Sequence, residues 1–280
     1  LHCYKNVTVV LDNCNKRSVY LSLEKREKRV LLLLFSLYRP AGSRDERFPL
    51  KIPVLDHGYV RLINNMGSDL DVVNSARVSF DKEVDVLKNR DAHLINFLVK
   101  NKHDSTLRHC VMTFEVYAPL MVARQWYKHA VSSTHLDDQL GWNESSRRYI
   151  TEREEFYIPS PDSWRSATLD VKQGSGDPVS LYYGAKYSQW MTRLVRESEE
   201  MYQEALRDGV APEQARLLLP AYSMYVRWRW TASLNALLHF CSLRLGHGAQ
   251  AEIVDYATVI NEIVLDHYPL TAKAWNEFRI

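Results

Sequence analysis

The chain contains no apolar run near the roughly 20 residues that a membrane-spanning helix needs. Its longest, Val30 to Leu37, is far too short, so no membrane partner is expected. A basic block, Lys25 to Arg29, precedes that run, but charged residues from Arg39 to Arg47 follow it without a small-residue cleavage site, which argues against a secretory signal. Cysteine is scarce: Cys3, Cys14, Cys110 and Cys241 lie far apart with no CxxC pair. That spacing excludes a zinc ribbon and a dense disulfide framework, leaves no expected metal site, and points to a reducing, cytoplasmic setting. Net charge is also slight. At +2 it cannot support wholesale coating of nucleic acid, so any basic character that matters is local. A GxSxG elbow is absent as well, which argues against an α/β-hydrolase.

What is present divides into two unequal parts. Residues 1–49 hold two short β-like runs, Val7 to Leu11 and Ser18 to Leu23, then the charge block, the leucine run and a connector punctuated by Pro40, Gly42 and Pro49. This segment reads as an appendage, with the main domain over residues 50–280. In the main domain, Val54-Leu55, the turn Asp56-His57-Gly58 and Tyr59 to Ile63 predict two strands. Asp69 to Ala76 predicts a short capped helix, and Asp91 to Lys100 an amphipathic one burying Leu94, Ile95, Phe97, Leu98 and Val99. Cys110 to Tyr117 alternates with period two, the mark of a half-buried strand, and Pro119 then opens a helix through His129. Residues 152–180, rich in Pro, Ser, Gly and Asp, predict a long functional loop. Helices follow at Tyr182 to Leu206, after Pro212, at Thr231 to Leu245 and at Ala249 to His267, the last ended by Pro269. The fold class expected is α+β, an antiparallel or mixed sheet packed with helices.

Chemistry concentrates between Arg124 and Tyr149. Arg124, Lys128, Arg147, Arg148, two histidines, Glu144, Ser145 and Ser146 fall within twenty-six residues. Arginine forks bind phosphate or carboxylate in a bidentate way that lysine cannot copy, so an anionic small molecule, a phosphate ester, is the expected ligand. The serines read as turn caps or phosphate donors, since no general base is placed beside them by sequence. His239, set among Leu237, Leu238, Phe240 and Leu243, reads by itself as a buried structural histidine. Tyr222, Tyr225, Trp228 and Trp230 alternate with Arg227 and Arg229. That pattern fits either a packed face or a base-stacking surface.

Several segments together resemble the flavin-dependent thymidylate synthases. Ala123 to Ala130 (ARQWYKHA) and Asn143 to Tyr149 (NESSRRY) carry the family's signature. Ile52 to Val60, Ala76 to Phe80, Ala215-Arg216 to Pro220, His239 to Arg244 and Ala249-Gln250 resemble its flanking segments, so the likeness spans about residues 50–277. The chain departs from the pattern at three places. The family's Arg-His-Arg is Lys128-His129-Ala130, its Asn-x-Arg is Ser233-Leu234-Asn235, and about eight extra residues, Ser132 to Leu140, precede Asn143.

The resemblance implies the flavin-dependent synthase fold and the methylation of dUMP to dTMP. Methylenetetrahydrofolate would be the carbon donor, with FAD as cofactor and NADPH as reductant, in a homotetramer with shared sites. It places Ser79, His103, Ser105, Lys128, His129, Asn235 and His239 around FAD, and Gln125, Glu144, Ser146, Arg147, Arg148, Arg216 and Arg244 around dUMP. Arg244 and His103 carry the catalytic assignments, Arg148 and Arg216 the phosphate. A relative installing another C5 group, such as hydroxymethyl, is the alternative within this reading. A nucleic-acid-binding protein built on Arg227 and Arg229 is the alternative outside it.

Overall fold

Among the described residues, five strands form a wholly antiparallel sheet in the order Ile52–Val54, Gly58–Met66, Val111–Pro119, Tyr225–Ser233, Gly141–Glu144, and it carries the helices of the main domain. The computed structural model describes residues 50–132, 141–145, 155–168, 174–246 and 248–279. The strands expected at Val7 to Leu11 and Ser18 to Leu23, and the extra residues after Ser132, lie outside the described residues.

The strands are β1 (Ile52–Val54), β2 (Gly58–Met66), β3 (Val111–Pro119), β4 (Gly141–Glu144) and β5 (Tyr225–Ser233). Their connections are α1 (Asp69–Arg77), α2 (Asn89–Lys100), α3 (Leu120–Ser132), α4 (Leu181–Arg207), α5 (Pro212–Ala215), α6 (Leu234–Leu245), α7 (Ala251–His267) and α8 (Pro269–Phe278), with short 3-10 turns at Val78–Phe80, Asp104–His109 and Arg216–Leu218. The α+β expectation holds.

Period-two alternation in β5 decides how the sheet packs. Trp228 and Trp230 are fully buried on one face, where they meet Trp126 of α3 edge-on at centroid distances of 5.5 and 5.4 Å. Trp126 in turn stacks on Phe240 of α6 at 4.6 Å. Met112, Phe114 and Val116 of β3 are buried in the same core cluster. Burying such rings removes the largest apolar areas in the chain from water and fixes α3 and α6 against the sheet. Arg227 and Arg229 occupy the opposite face. Arg227 lies over the Tyr117 ring at 5.4 Å, and Arg229 reaches Glu115 at 3.9 Å. Glu115 also accepts from Tyr59 and Arg61, both at 2.7 Å. Trp228 and Trp230 are therefore a packed face closed to nucleic-acid bases, Tyr225 is buried on the opposite side of the sheet, and Tyr222 is exposed.

Three local expectations need correction. Helix was expected from Thr231, but the chain stays in β5 to Ser233, whose hydroxyl accepts from Ala236 N at 3.3 Å and so caps α6. Trp-Arg-Trp-Thr is β-forming and is claimed by the edge of β3, so pairing outweighs helical spacing there. Pro269 opens α8 rather than ending the helical region; at the first position its missing N–H costs nothing. Phe97, expected inside, is 55% exposed. Along α4, Trp190, Leu194 and Met201 are exposed, while Tyr187, Met191, Val195, Tyr202 and Leu206 are half-buried.

The long segment after Glu144 is ordered where it is described. Tyr157 N donates to Ser223 O at 2.8 Å, and the Trp164 indole donates to Ser188 on α4 at 3.0 Å. Gly174 adopts φ +91° and lies so close to Gly248 that a Cβ would come within 2.8 Å of its Cα. The segment thereby touches the connection between α6 and α7, a close approach that only glycine allows.

A cation-lined cleft beside the tryptophan core

A cleft of about 980 Å³ opens along α3. Met121, Gln125 and Lys128 line it from α3, Arg244 from the end of α6, and Gln250 and Glu252 from the start of α7. Tyr157, Trp164 and Arg165 form the far wall. Helical spacing explains the near wall. Met121, Gln125 and Lys128 recur at intervals of four and three, while Val122 and Trp126 point into the core.

Arg244 is held from within. Its Nε donates to His129 Nε2 at 3.0 Å, and His129 is buried, edge-on to Phe240 at 5.1 Å. Burial, followed by the charges of Arg244 and His239, pushes the His129 imidazole down to about 4. A neutral ring keeps a lone pair on Nε2 for the arginine, which places its proton on Nδ1. The remaining guanidinium nitrogens are left for a ligand. Across the cleft floor, Gln125 Nε2 donates to Gln250 Oε1, and Gln250 Nε2 donates to Met121 Sδ at 3.4 Å. The amides fix each other's orientation.

Of the residues expected around dUMP, the structure brings Gln125 and Arg244 together on this cleft, with Lys128 from the flavin set. Glu144 ends β4 opposite Trp228, exposed and away from the cleft lining. Arg216 is exposed too, its Nε donating to Glu213 O at 3.3 Å. Ser146, Arg147 and Arg148 lie outside the described residues.

The flavin set falls in two places. His129 and His239 face one another at a ring distance of 6.3 Å. His239 is exposed, so the buried structural histidine of this pair is His129, and the buried reading of His239 is overturned. One turn earlier on α6, Asn235 buries its Oδ1 without a hydrogen-bond partner. The Asp104–His109 turn packs against α6 and α1, and it presents exposed His103 and Ser105. Ser79 lies in the Val78–Phe80 turn, and its side chain is outside the described atoms. An unpaired buried acceptor costs about 1–3 kcal/mol, and a ligand donor reaching Asn235 Oδ1 would recover it. An exposed polar rim with one orphaned acceptor fits a large hydrogen-bonding cofactor such as FAD.

Sequence reasoning assigns no role to Tyr157, Arg165, Gln250 or Glu252. Gln250 stands inside a recognisable segment and Glu252 two residues beyond it, which is a usable signal. Tyr157 and Arg165 carry none beyond membership of a long loop.

These features define an α+β protein with a polar, cation-lined pocket of nucleotide size. The family model described as thymidylate synthase complementing protein matches residues 61–270. Flavin-dependent thymidylate synthases from Thermus thermophilus and Thermotoga neapolitana are 39% and 36% identical, over 82% of this chain and 79% and 95% of theirs. The crystal structure of a UMP/dUMP methylase, PolB from Streptomyces cacaoi, bound with 5-Br dUMP matches with a TM-score of 0.68 at 29% identity, covering 81% of this chain and 98% of that one. The chain belongs to the thymidylate synthase complementing protein family.

Proposed function

We propose that this chain is a flavin-dependent thymidylate synthase that converts dUMP to dTMP, taking its carbon from methylenetetrahydrofolate and its reducing equivalents from NADPH through FAD. The observation that carries this reading is the convergence of Gln125 and Lys128 from α3 with Arg244 from the end of α6 on one cleft. When bound, the reduced flavin supplies hydride and relays the one-carbon unit. The chain's own residues orient the nucleotide and stabilise charge. Arg244, fixed by His129, faces the pyrimidine and offsets the negative charge that develops on its carbonyls as C5 is activated. The buried cysteines Cys110 and Cys241 lie outside the cleft lining, so activation by thiol addition has no candidate among the described residues.

Asn235, His239, His129, Lys128, His103, Ser105 and Ser79 would hold FAD; Arg148 and Arg216 would grip the phosphate, with Ser146, Arg147 and Glu144 beside them. Glu144 and Arg216 lie off the cleft of their own chain, and Trp190, Leu194 and Met201 of α4 are exposed. Both facts favour a homotetramer in which neighbouring copies complete each site.

Among the described residues no helix is long and apolar enough to cross a membrane. A second reading draws on the likeness to a UMP/dUMP methylase: UMP serves as an additional substrate. The deciding assay is tritium release from [5-³H]dUMP and [5-³H]UMP by purified protein, with and without FAD, NADPH and methylenetetrahydrofolate. FAD- and reductant-dependent release is expected, and product mass then separates methyl from hydroxymethyl. A colourless preparation that releases no tritium rejects the assignment.

A further inference from the structure

The cleft is polarised along α3. Its C-terminal end carries Lys128 and the His129-held Arg244. Its N-terminal end, at Met121, carries Glu252, the only carboxylate that lines the cleft among the described residues. From Met121 to His129 the helix rises roughly 12 Å. Neighbouring bonds fix Glu252 at the Met121 end. Met121 N donates to Tyr222 O at 3.0 Å, Tyr157 N donates to Ser223 O at 2.8 Å, and the Tyr157 hydroxyl donates to Glu252 Oε1 at 3.4 Å. Tyr157 is itself buried, so this phenol–carboxylate pair is built into the wall rather than draped over it.

Glu252 makes no ion pair among the described residues, and a carboxylate facing an otherwise cationic cleft serves a ligand donor. dUMP offers two: the imide N3–H of the base and the 3′-hydroxyl of the sugar. With the pyrimidine at Arg244, the far end of the cleft lies at the sugar. Carboxylates are well suited to sugar hydroxyls, whose hydrogens they accept.

We infer that Glu252, positioned by Tyr157, accepts the 3′-hydroxyl of the bound nucleotide and so selects for an unmodified sugar. This rests on the nucleotide reading of the cleft and adds a specificity-determining residue to it. The residue chemistry also predicts a hierarchy. Glu252 contacts the ligand, whereas Tyr157 only holds the carboxylate, so its loss costs less.

The test is binding of dUMP, 2′,3′-dideoxyuridine monophosphate and N3-methyl-dUMP to the flavin-loaded wild type and to Glu252→Gln and Tyr157→Phe, with flavin absorbance confirming that each variant is folded. The wild type is expected to prefer dUMP over the dideoxy analogue by about tenfold to a hundredfold, the range of a hydrogen bond to a charged acceptor. Glu252→Gln, which keeps only a neutral carbonyl oxygen for the hydroxyl, should lose about half of that preference by weakening dUMP alone, and Tyr157→Phe should lose less. Undiminished preference in Glu252→Gln overturns the inference, as does a variant that instead loses discrimination against N3-methyl-dUMP. If the wild type fails to bind dUMP at all, the proposed function falls and the inference with it.

Discussion

Arg244 donates its Nε to His129 across 3.0 Å, which ties the last turn of α6 to α3 just where both meet the cleft. The bond requires a neutral imidazole, and the buried setting supplies one. Arg244 is pre-aimed at the cleft without needing a second carboxylate, whose charge would neutralise it.

Stability should therefore depend on pH through His129. An unfolded histidine titrates near 6.5, while burial lowers the folded group to about 4. Between those values the unfolded chain binds more protons, so stability is complete above 6.5 and falls as pH drops towards 4. The loss is up to about 3 kcal/mol, and protonation also breaks the bond from Arg244. Urea unfolding at a series of pH values should show this slope in the wild type and a flatter profile in His129→Phe. Equal slopes would remove His129 from the account.

Removing the guanidinium should act on rate more than on folding. Arg244→Ala is expected to lower tritium release from [5-³H]dUMP by on the order of 10²–10³, the usual cost of one preorganised donor. Arg244→Lys should rescue little, because a lysine cannot both hold to His129 through a fixed nitrogen and present a planar fork. A lysine variant with near wild-type rate would show that only charge is needed.

Much of this site is legible without any coordinates. Gln125, Lys128, His129 and Arg244 stand in recognisable segments, and the chemistry of phosphate esters already points to their cationic neighbours. Period-two patterning finds β3 because its polar residues alternate cleanly with Met112, Phe114 and Val116. The same pattern fails to declare β5, where arginine alternates with tryptophan and both faces look interactive to a local reading. Burial separates them: Trp228 and Trp230 are 1% and 0% exposed. Only tertiary pairing with β3 carries that information. Tyr157 and Glu252 are hidden for a related reason, since residues 95 positions apart meet through the fold alone.

The packed-face assignment has its own test. Trp126 touches Trp228, Trp230 and Phe240 from a fully buried position, so Trp126→Ala should cost about 3–5 kcal/mol. Arg229→Ala, by contrast, removes an exposed charge 3.9 Å from Glu115 and should change stability by less than about 1 kcal/mol. Neither the wild type nor Arg229→Ala should bind polynucleotide with a steep salt dependence. Salt-sensitive binding lost in Arg229→Ala would revive a nucleic-acid role for this face.

The last helix is anchored by a residue far away in sequence. Asp69 is buried at the start of α1, and its carboxylate accepts from Leu270 N at 2.7 Å, Thr271 N at 3.0 Å and the Thr271 hydroxyl. It thus satisfies the free N–H groups at the first turn of α8 and places a negative charge at the positive end of that helix. Asp69→Ala leaves those donors buried without an acceptor, at an expected cost of about 2–4 kcal/mol. Asp69→Asn keeps one carbonyl oxygen for them and should cost roughly half as much. α8 packs on α2, which leads to the turn bearing His103 and Ser105, so Asp69→Ala should also loosen flavin. Thermal unfolding with and without added FAD separates the two effects. A variant destabilised in both conditions by the same amount would mean that α8 supports the fold alone and has no bearing on the cofactor.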